Sequence, residues 1–183
     1  MFGRMNLPYS TEDLPTAFED GYTPDQPVCQ VKIGEYEVTD TGAELVTYGL
    51  GSCLGVALFD AQKSVSGLIH IKRPTAQTAA SSNKAAFADT GIKMLFDEMQ
   101  SHGATTHHTE ATLVGGIDTG GAASAVNMNI GERNVKQAKQ TLDAMEITIS
   151  HTAVGGAEEM SLYFDGASGE ATIETDSTGK CRL

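Results

Sequence analysis

Two apolar runs separated by a few polar residues constrain this chain more than anything else in it. Residues 54–60 (Leu54-Gly55-Val56-Ala57-Leu58-Phe59-Asp60) are almost wholly apolar. Residues 66–72 (Ser66-Gly67-Leu68-Ile69-His70-Ile71-Lys72) follow at once and stop before Pro74. Runs of this length and composition read as strands, and strands joined by so short a link make an antiparallel hairpin. A two-residue turn at Ala61-Gln62 pairs Asp60 with Lys63, and that register sets Cys53 directly opposite His70. Opposed side chains share a face with Cβ atoms about 4.5–5.5 Å apart, whereas a slip of one residue puts them on opposite faces.

Immediately before the hairpin stands Thr47-Tyr48-Gly49-Leu50-Gly51-Ser52-Cys53. Glycine adds no Cβ and tolerates positive φ, so these glycines let the backbone approach another group closely. A cysteine on an apolar strand is more often an inert buried thiol. Here the cysteine is presented at the strand's start by a Gly-rich turn, and a thiol beside an imidazole is the pair that nucleophilic catalysis needs.

The length of 183 residues fits one domain with a tail, and no run of eighteen apolar residues exists to span a membrane. Residues 1–20 lack a basic start followed by an apolar block, so no secretory signal is read there and the cytoplasm is the expected compartment. The three cysteines, Cys29, Cys53 and Cys181, are odd in number and widely spaced. That argues against a disulfide framework and against a Cys-x-x-Cys metal site. With 24 acidic residues against 12 basic ones, the net charge is −12, a surface that repels phosphate backbones and disfavours nucleic acid. The same bias fits a salt-loving source, where self-repulsion is screened, or an ordinary acidic bacterial protein.

Along the chain, residues 1–31 carry Pro8, Pro15, Pro24 and Pro27 with little periodicity, and read as an irregular or disordered arm dispensable for chemistry. Residues 31–40 alternate as a first strand. After Pro74 a polar loop leads to a helix from Lys84, with Ser81 or Ser82 as the expected N-cap. Ala88, Ile92, Leu95, Phe96 and Met99 form its buried stripe and Gly103 ends it. His102, His107 and His108 cluster beyond, read as solvated loop histidines because no acids or cysteines stand at ligand spacing.

A strand at 111–114 runs into Gly115-Gly116-Ile117-Asp118-Thr119-Gly120-Gly121. It has neither a Gly-Lys-Ser/Thr ending nor Gly-x-Gly-x-x-Gly spacing, so a phosphate loop is rejected in favour of turns or close approach to a site. Gly131-Glu132-Arg133-Asn134 opens a second helix with Val135, Ala138, Leu142 and Met145 on one face. Asn134 reads either as its cap or as a hydrogen-bonding group of the site. Strands are expected at 147–154, 161–165 and 170–174, the last two joined by a glycine-containing hairpin loop, with 175–183 a frayed end. Antiparallel hairpins at both ends with two helices between them argue an α+β fold.

Thr47, Gly51-Ser52-Cys53, His70, Gly115-Gly116 and Ile130-Gly131-Glu132-Arg133-Asn134 together resemble the CheD family, the chemoreceptor glutamine deamidases of prokaryotic chemotaxis. The resemblance runs from about residue 33 to 173, within a deamidase domain at 32–175. It implies a layered α/β/β sandwich in which Cys53 is the nucleophile, His70 the acid/base and Thr47 the third member, with Ser52 and Gly51 supporting the oxyanion loop. It implies no cofactor and no metal. The implied substrate is a glutamine on the cytoplasmic helices of a chemoreceptor, and the implied partner is CheC, a response-regulator phosphatase. Two other readings stand beside it: a catalytically vestigial module that regulates a CheC-type phosphatase, and a thiol hydrolase acting on a small amide.

Overall fold

The computed structural model describes residues 27–76, 83–118 and 129–183. Their elements, in chain order, are β1 (Val28–Gln30), β2 (Tyr36–Thr39), β3 (Glu44–Leu50), β4 (Leu54–Asp60), β5 (Val65–Ile71), α1 (Ala88–Ser101), β6 (Thr109–Gly115), α2 (Ile130–Ala144), β7 (Thr148–Val154), β8 (Met160–Asp165), β9 (Ala171–Thr175) and β10 (Gly179–Arg182). One mixed sheet runs β1-β3-β8-β9-β10 and the other β2-β5-β4-β6-β7.

The period-2 alternation of β4 and β5 explains the layering. Leu54, Val56 and Leu58 on β4, with Val65, Ile69 and Ile71 on β5, meet Ile92, Leu95, Phe96 and Met99 of α1 and Ala138 and Leu142 of α2. The opposite faces of these strands supply Ala57 and Leu68, which pack against Leu45, Leu50, Leu162 and Phe164 of the other sheet. Both faces of the central sheet are therefore covered, which is why β4 and β5 read as nearly continuous apolar runs. The expected α+β sandwich, a helix layer over two sheets, is the fold.

The central hairpin forms, with a different register. Asp60 pairs with Val65 and Gly55 with His70, so the loop is residues 61–64 and the pairing is shifted by two from the expected one. Asp60 is the cause. Its Oδ1 accepts from the backbone N–H groups of Gln62 and Lys63 and its Oδ2 from that of Thr105, which organises a longer turn completed by Ser64 at a φ of 53°. A shift of two keeps every side chain on its face, so Cys53 falls on the diagonal from His70 instead of opposite it.

Helix α1 buries the expected stripe and ends before Gly103, whose φ is 95°. A short 3₁₀ turn, Lys84–Ala86, capped by the Asn83 side chain, precedes it; the expected caps Ser81 and Ser82 lie outside the described residues, as do Gly120 and Gly121. Two boundaries differ from expectation. Residues 28–30 form a strand parallel to β3 and Val31 is 1% exposed, so the folded domain begins before residue 32. Residues 179–182 pair with β9 along their whole length, not as a frayed end. Both strands are short and polar or mixed; β1 finds its partner across the whole of β2, and β10 folds back on β9 through a short turn.

A chain beginning at Lys32 should therefore melt below one beginning at Pro27. Burial of one valine is worth about 1.5–3 kcal/mol, and each kcal/mol moves the midpoint of a domain this size by about 2–4 °C. A drop of roughly 5–10 °C in calorimetry is expected, and equal midpoints would show that β1 contributes nothing.

Candidate active site

The strand ends surrounding Cys53 are built by backbone irregularity. β3 pairs with β8 in one register through Thr47 and in another at Leu50, an extra residue that makes a β-bulge. Gly49 occupies it at a φ of 69° with nothing within 4 Å of a would-be Cβ, so it is there for conformation and not for space. The bulge turns the chain out of the sheet into the loop Gly51-Ser52-Cys53, whose first N–H donates to the Gly49 carbonyl.

That loop is held by the double glycine after β6. The Gly116 N–H donates to the Cys53 carbonyl at 2.7 Å and the Ile117 N–H to the Gly51 carbonyl at 2.9 Å. A Cβ on Gly115 would lie 2.5 Å from the Cys53 oxygen, so the contact exists only because residue 115 has no side chain. Gly131 fits against the same turn, where a Cβ would sit 2.3 Å from the Ile117 oxygen. Of the two sequence readings of these glycines, close approach to the site is the one the structure supports.

His70 and Thr47 meet between the sheets. His70 is 1% exposed and Thr47 0%, and the Thr47 hydroxyl lies 2.7 Å from His70 Nδ1. The same hydroxyl donates to the Val31 carbonyl at 2.8 Å. A hydroxyl has one proton to give, and a carbonyl can only accept. Nδ1 must therefore carry the ring proton and donate it to Thr47, which leaves Nε2 as a bare lone pair. Nε2 is buried and without a hydrogen-bond partner among the described residues. Burial pushes the His70 pKa down to about 4, so the ring is neutral at pH 7.

Cys53 stands at the mouth of this interior, partly exposed and packed on the inter-sheet cluster. Burial pushes its thiol pKa up; the nearby Lys72 ammonium opposes this and the Glu159 carboxylate adds to it. Both groups are thus held uncharged, Cys53 as a thiol and His70 as an imidazole. The structure brings Thr47 and His70 into direct contact and sets Ser52, Gly51 and Cys53 on the adjoining loop, while the thiol makes no hydrogen bond to Nε2. Cys29 is half-buried with its thiol pKa pushed up by burial and by Glu37, and Cys181 is exposed on β10.

Three contributors escaped the sequence reading. The Val31 carbonyl belongs to the segment taken for a disordered arm. Lys72 and Glu159 are brought to the thiol from two different sheets. Asn134 was left open, and the structure decides it: Asn129 caps α2 by accepting from the Glu132 N–H, while Asn134, 0% exposed, donates from Nδ2 to the carbonyls of Ser52 and Lys72. Its signal was the spacing of one helical turn after Gly131, which packs on the loop that holds Cys53. Among the described residues, the histidine cluster included, no group of three or more ligating side chains occurs. Within that cluster His102 pairs with Asp40 at 2.9 Å. Two open clefts of about 590 Å³ run along α2 and β7, and neither is lined by Cys53 or His70.

Residues 72–175 match the family model "CheD chemotactic sensory transduction". The chain belongs to the CheD family. It is 36% identical over 84% of its length to the probable chemoreceptor glutamine deamidase CheD of Haloarcula marismortui, covering 88% of that relative. It is 40% identical over 80% of its length to the namesake from Desulforamulus reducens, covering 89% of it, and 34% identical over 82% to that from Thermococcus kodakarensis, covering 94%. Among solved structures, the Bacillus licheniformis hypothetical protein YfiH aligns at a TM-score of 0.40 and 16% identity, over 70% of this chain and 61% of that one. As in the sequence, so in the CheD fold described here, no helix among the described residues is long and apolar enough to cross a membrane.

The buried, neutral His70 makes stability depend on pH in a defined direction. Its pKa is about 4 folded against 6.5 unfolded, so between these values the unfolded chain takes up the proton more readily. The contribution is fully present above pH 6.5 and is lost as pH falls towards 4, amounting to roughly 3 kcal/mol. Urea midpoints of the wild type and His70→Gln, compared from pH 7 to 4, should show a steeper acid loss in the wild type. Parallel curves would mean that His70 is not held neutral.

Replacing the Thr47 hydroxyl tests the tautomer. Thr47→Val keeps the volume and leaves Nδ1–H without an acceptor, and should slow His70-dependent turnover by about 10²-fold. Thr47→Ser should restore most of it; equal rates in the valine variant and the wild type would remove Thr47 from the site.

Proposed function

We propose that this protein hydrolyses the side-chain carboxamide of specific glutamines to glutamate on the cytoplasmic helices of chemotaxis receptors. The observation that carries the reading is the hydroxyl relay from His70 through Thr47 to Val31, which leaves Nε2 proton-free, buried and without a partner, on a strand whose neighbour follows a glycine-presented cysteine. The names of the CheD relatives, probable chemoreceptor glutamine deamidases, supply the substrate class.

In this mechanism Nε2 of His70 takes the Cys53 proton as Sγ attacks the carboxamide carbon, so charge appears only as the bond forms. Starting from an uncharged pair suits a buried site, where a resting ion pair would carry its desolvation cost. The missing Sγ–Nε2 contact closes when substrate is seated, as apo catalytic hydrogen bonds commonly do. The tetrahedral oxyanion needs backbone donors. The N–H groups of Gly51, Gly116 and Ile117 are engaged in holding the loop, which leaves those of Ser52 and Cys53 as the candidates. The imidazolium then protonates the departing ammonia. Water, deprotonated by the same Nε2, attacks the thioester carbon, and the proton returns to Sγ as glutamate is released. The Thr47 oxygen accepts from Nδ1–H throughout and so steadies the imidazolium, the part an orienting third group plays. CheC is the proposed competing partner, and the cytoplasm the proposed setting.

The test is a receptor cytoplasmic fragment incubated with the protein, with glutamine-to-glutamate conversion read by mass spectrometry. Cys53→Ala should abolish conversion with the fold intact, while Cys29→Ala and Cys181→Ala retain it. Undiminished conversion by the Cys53 variant would end this mechanism.

A further inference from the structure

The nucleophile and the base stand on different segments, and the covalent chain between them runs the length of the β4–β5 hairpin. The ladder fixes the two strands as far as the Leu54–Ile71 pair, and Ser52, Cys53 and Lys72 stand just beyond that paired end. Ser52 immediately precedes the nucleophile, and Lys72 lies two residues past the base. One group touches the backbone of both: the Asn134 amide, whose Nδ2 donates to the Ser52 carbonyl at 2.8 Å and to the Lys72 carbonyl at 3.2 Å. Because both partners are carbonyl oxygens, the orientation of the amide is forced; turned over, its own oxygen would face two acceptors.

The surroundings show that this residue is kept for its donor end. Asn134 is fully buried in a helix face whose other buried members are Gly131, Ala138, Thr141 and Leu142, and its two donor bonds go to backbone carbonyls of other segments. Its Oδ1 is buried with no partner, an unmatched acceptor that detracts from stability. Its helix is anchored against the same turn that holds the nucleophile, through Gly131 on Gly116 and Ile117. The amide is therefore delivered on a rigid element, one turn in from a backbone contact with no slack.

We propose that Asn134 is a positioning residue of the thiol–imidazole pair: by tying the Ser52 carbonyl to the Lys72 carbonyl it sets the separation of Cys53 Sγ from His70 Nε2. It touches neither reacting atom. The assignment of Cys53 and His70 as the pair is the reading given above. The role of Asn134 goes beyond it: loosening the clamp should leave the substrate surface and the His70 tautomer in place, yet lengthen the proton-transfer path.

The experiment uses the full chain with Cys29→Ser and Cys181→Ser, so that Cys53 is the one thiol present. The rate of its alkylation by iodoacetamide is followed from pH 5 to 10, beside steady-state deamidation of a receptor fragment. Asn134→Asp keeps the volume and places a carboxylate oxygen against the two carbonyls; Asn134→Ala removes the clamp altogether. Both should lower kcat by about 10–100-fold with KM within twofold, and either added to His70→Gln should cost little more than His70→Gln alone. The alkylation profile, base-assisted in the parent, should move towards that of an unassisted thiol and should match the profile of His70→Gln alone. Folded variants with parental alkylation profile and kcat would overturn the proposal. Loss of fold in both variants, seen by circular dichroism, would also overturn it by assigning Asn134 to the core. If the parent deamidates no receptor fragment yet its Cys53 alkylation depends on both His70 and Asn134, the clamp stands and the substrate reading falls.

Discussion

The single proton of the Thr47 hydroxyl sets the polarity of the whole site. It is committed to the Val31 carbonyl, so the oxygen can only accept from His70 Nδ1, and the ring's other nitrogen is left as a base. Everything upstream serves that commitment. Val31 is fixed because its own N–H donates to the Val46 carbonyl at 2.8 Å, continuing the parallel pairing of β1 with β3. Everything downstream depends on it: an imidazole buried in an apolar interior stays neutral, and a neutral ring is a useful base only if its free lone pair faces the nucleophile.

Cys53 is held differently, by backbone atoms. A bulge at Gly49 re-aims the chain, Gly116 and Ile117 grip the loop carbonyls, and Asn134 reaches across from the helix layer. The two halves of the pair thus draw on separate devices, a side-chain relay between the sheets and a glycine interlock at their end. Each is formed by residues from at least three elements. The electrostatics agree with this division: burial disfavours both the thiolate and the imidazolium, and the charges near the thiol, Lys72 and Glu159, oppose one another.

Much of this was legible, and the reasons for the gaps are physical. Strand β4 was readable to the residue because it is buried on both faces and bounded by a glycine-rich turn and an aspartate. The hairpin register was not, because turn length is set by the hydrogen bonds of Asp60, one of them to Thr105, 45 residues away. The shared face of Cys53 and His70 survived since an even shift preserves side-chain parity. β1 and β10 were missed because three or four residues without alternation carry no period to detect. The motif residues pointed to the site, but the relay could not be read at all: its acceptor is a backbone oxygen, and every residue has one. Asn134 lay between, visible as a polar residue at a helix start yet ambiguous until Asn129 proved to be the cap.

Among the described residues β1 is an edge strand of three residues, paired with β3 alone. Edge segments are among the first parts of a fold to open, at a small fraction of the global unfolding free energy. When this one lifts, Val31 leaves the cluster between the sheets, and the Thr47 proton loses its acceptor and is free to turn onto Nδ1. The imidazole then keeps its proton on the wrong nitrogen. Under the proposed mechanism the proportion of molecules able to begin a turnover would be a population set at the rim of the sheet, the apparent rate constant being the intrinsic one multiplied by the fraction of time that rim is closed.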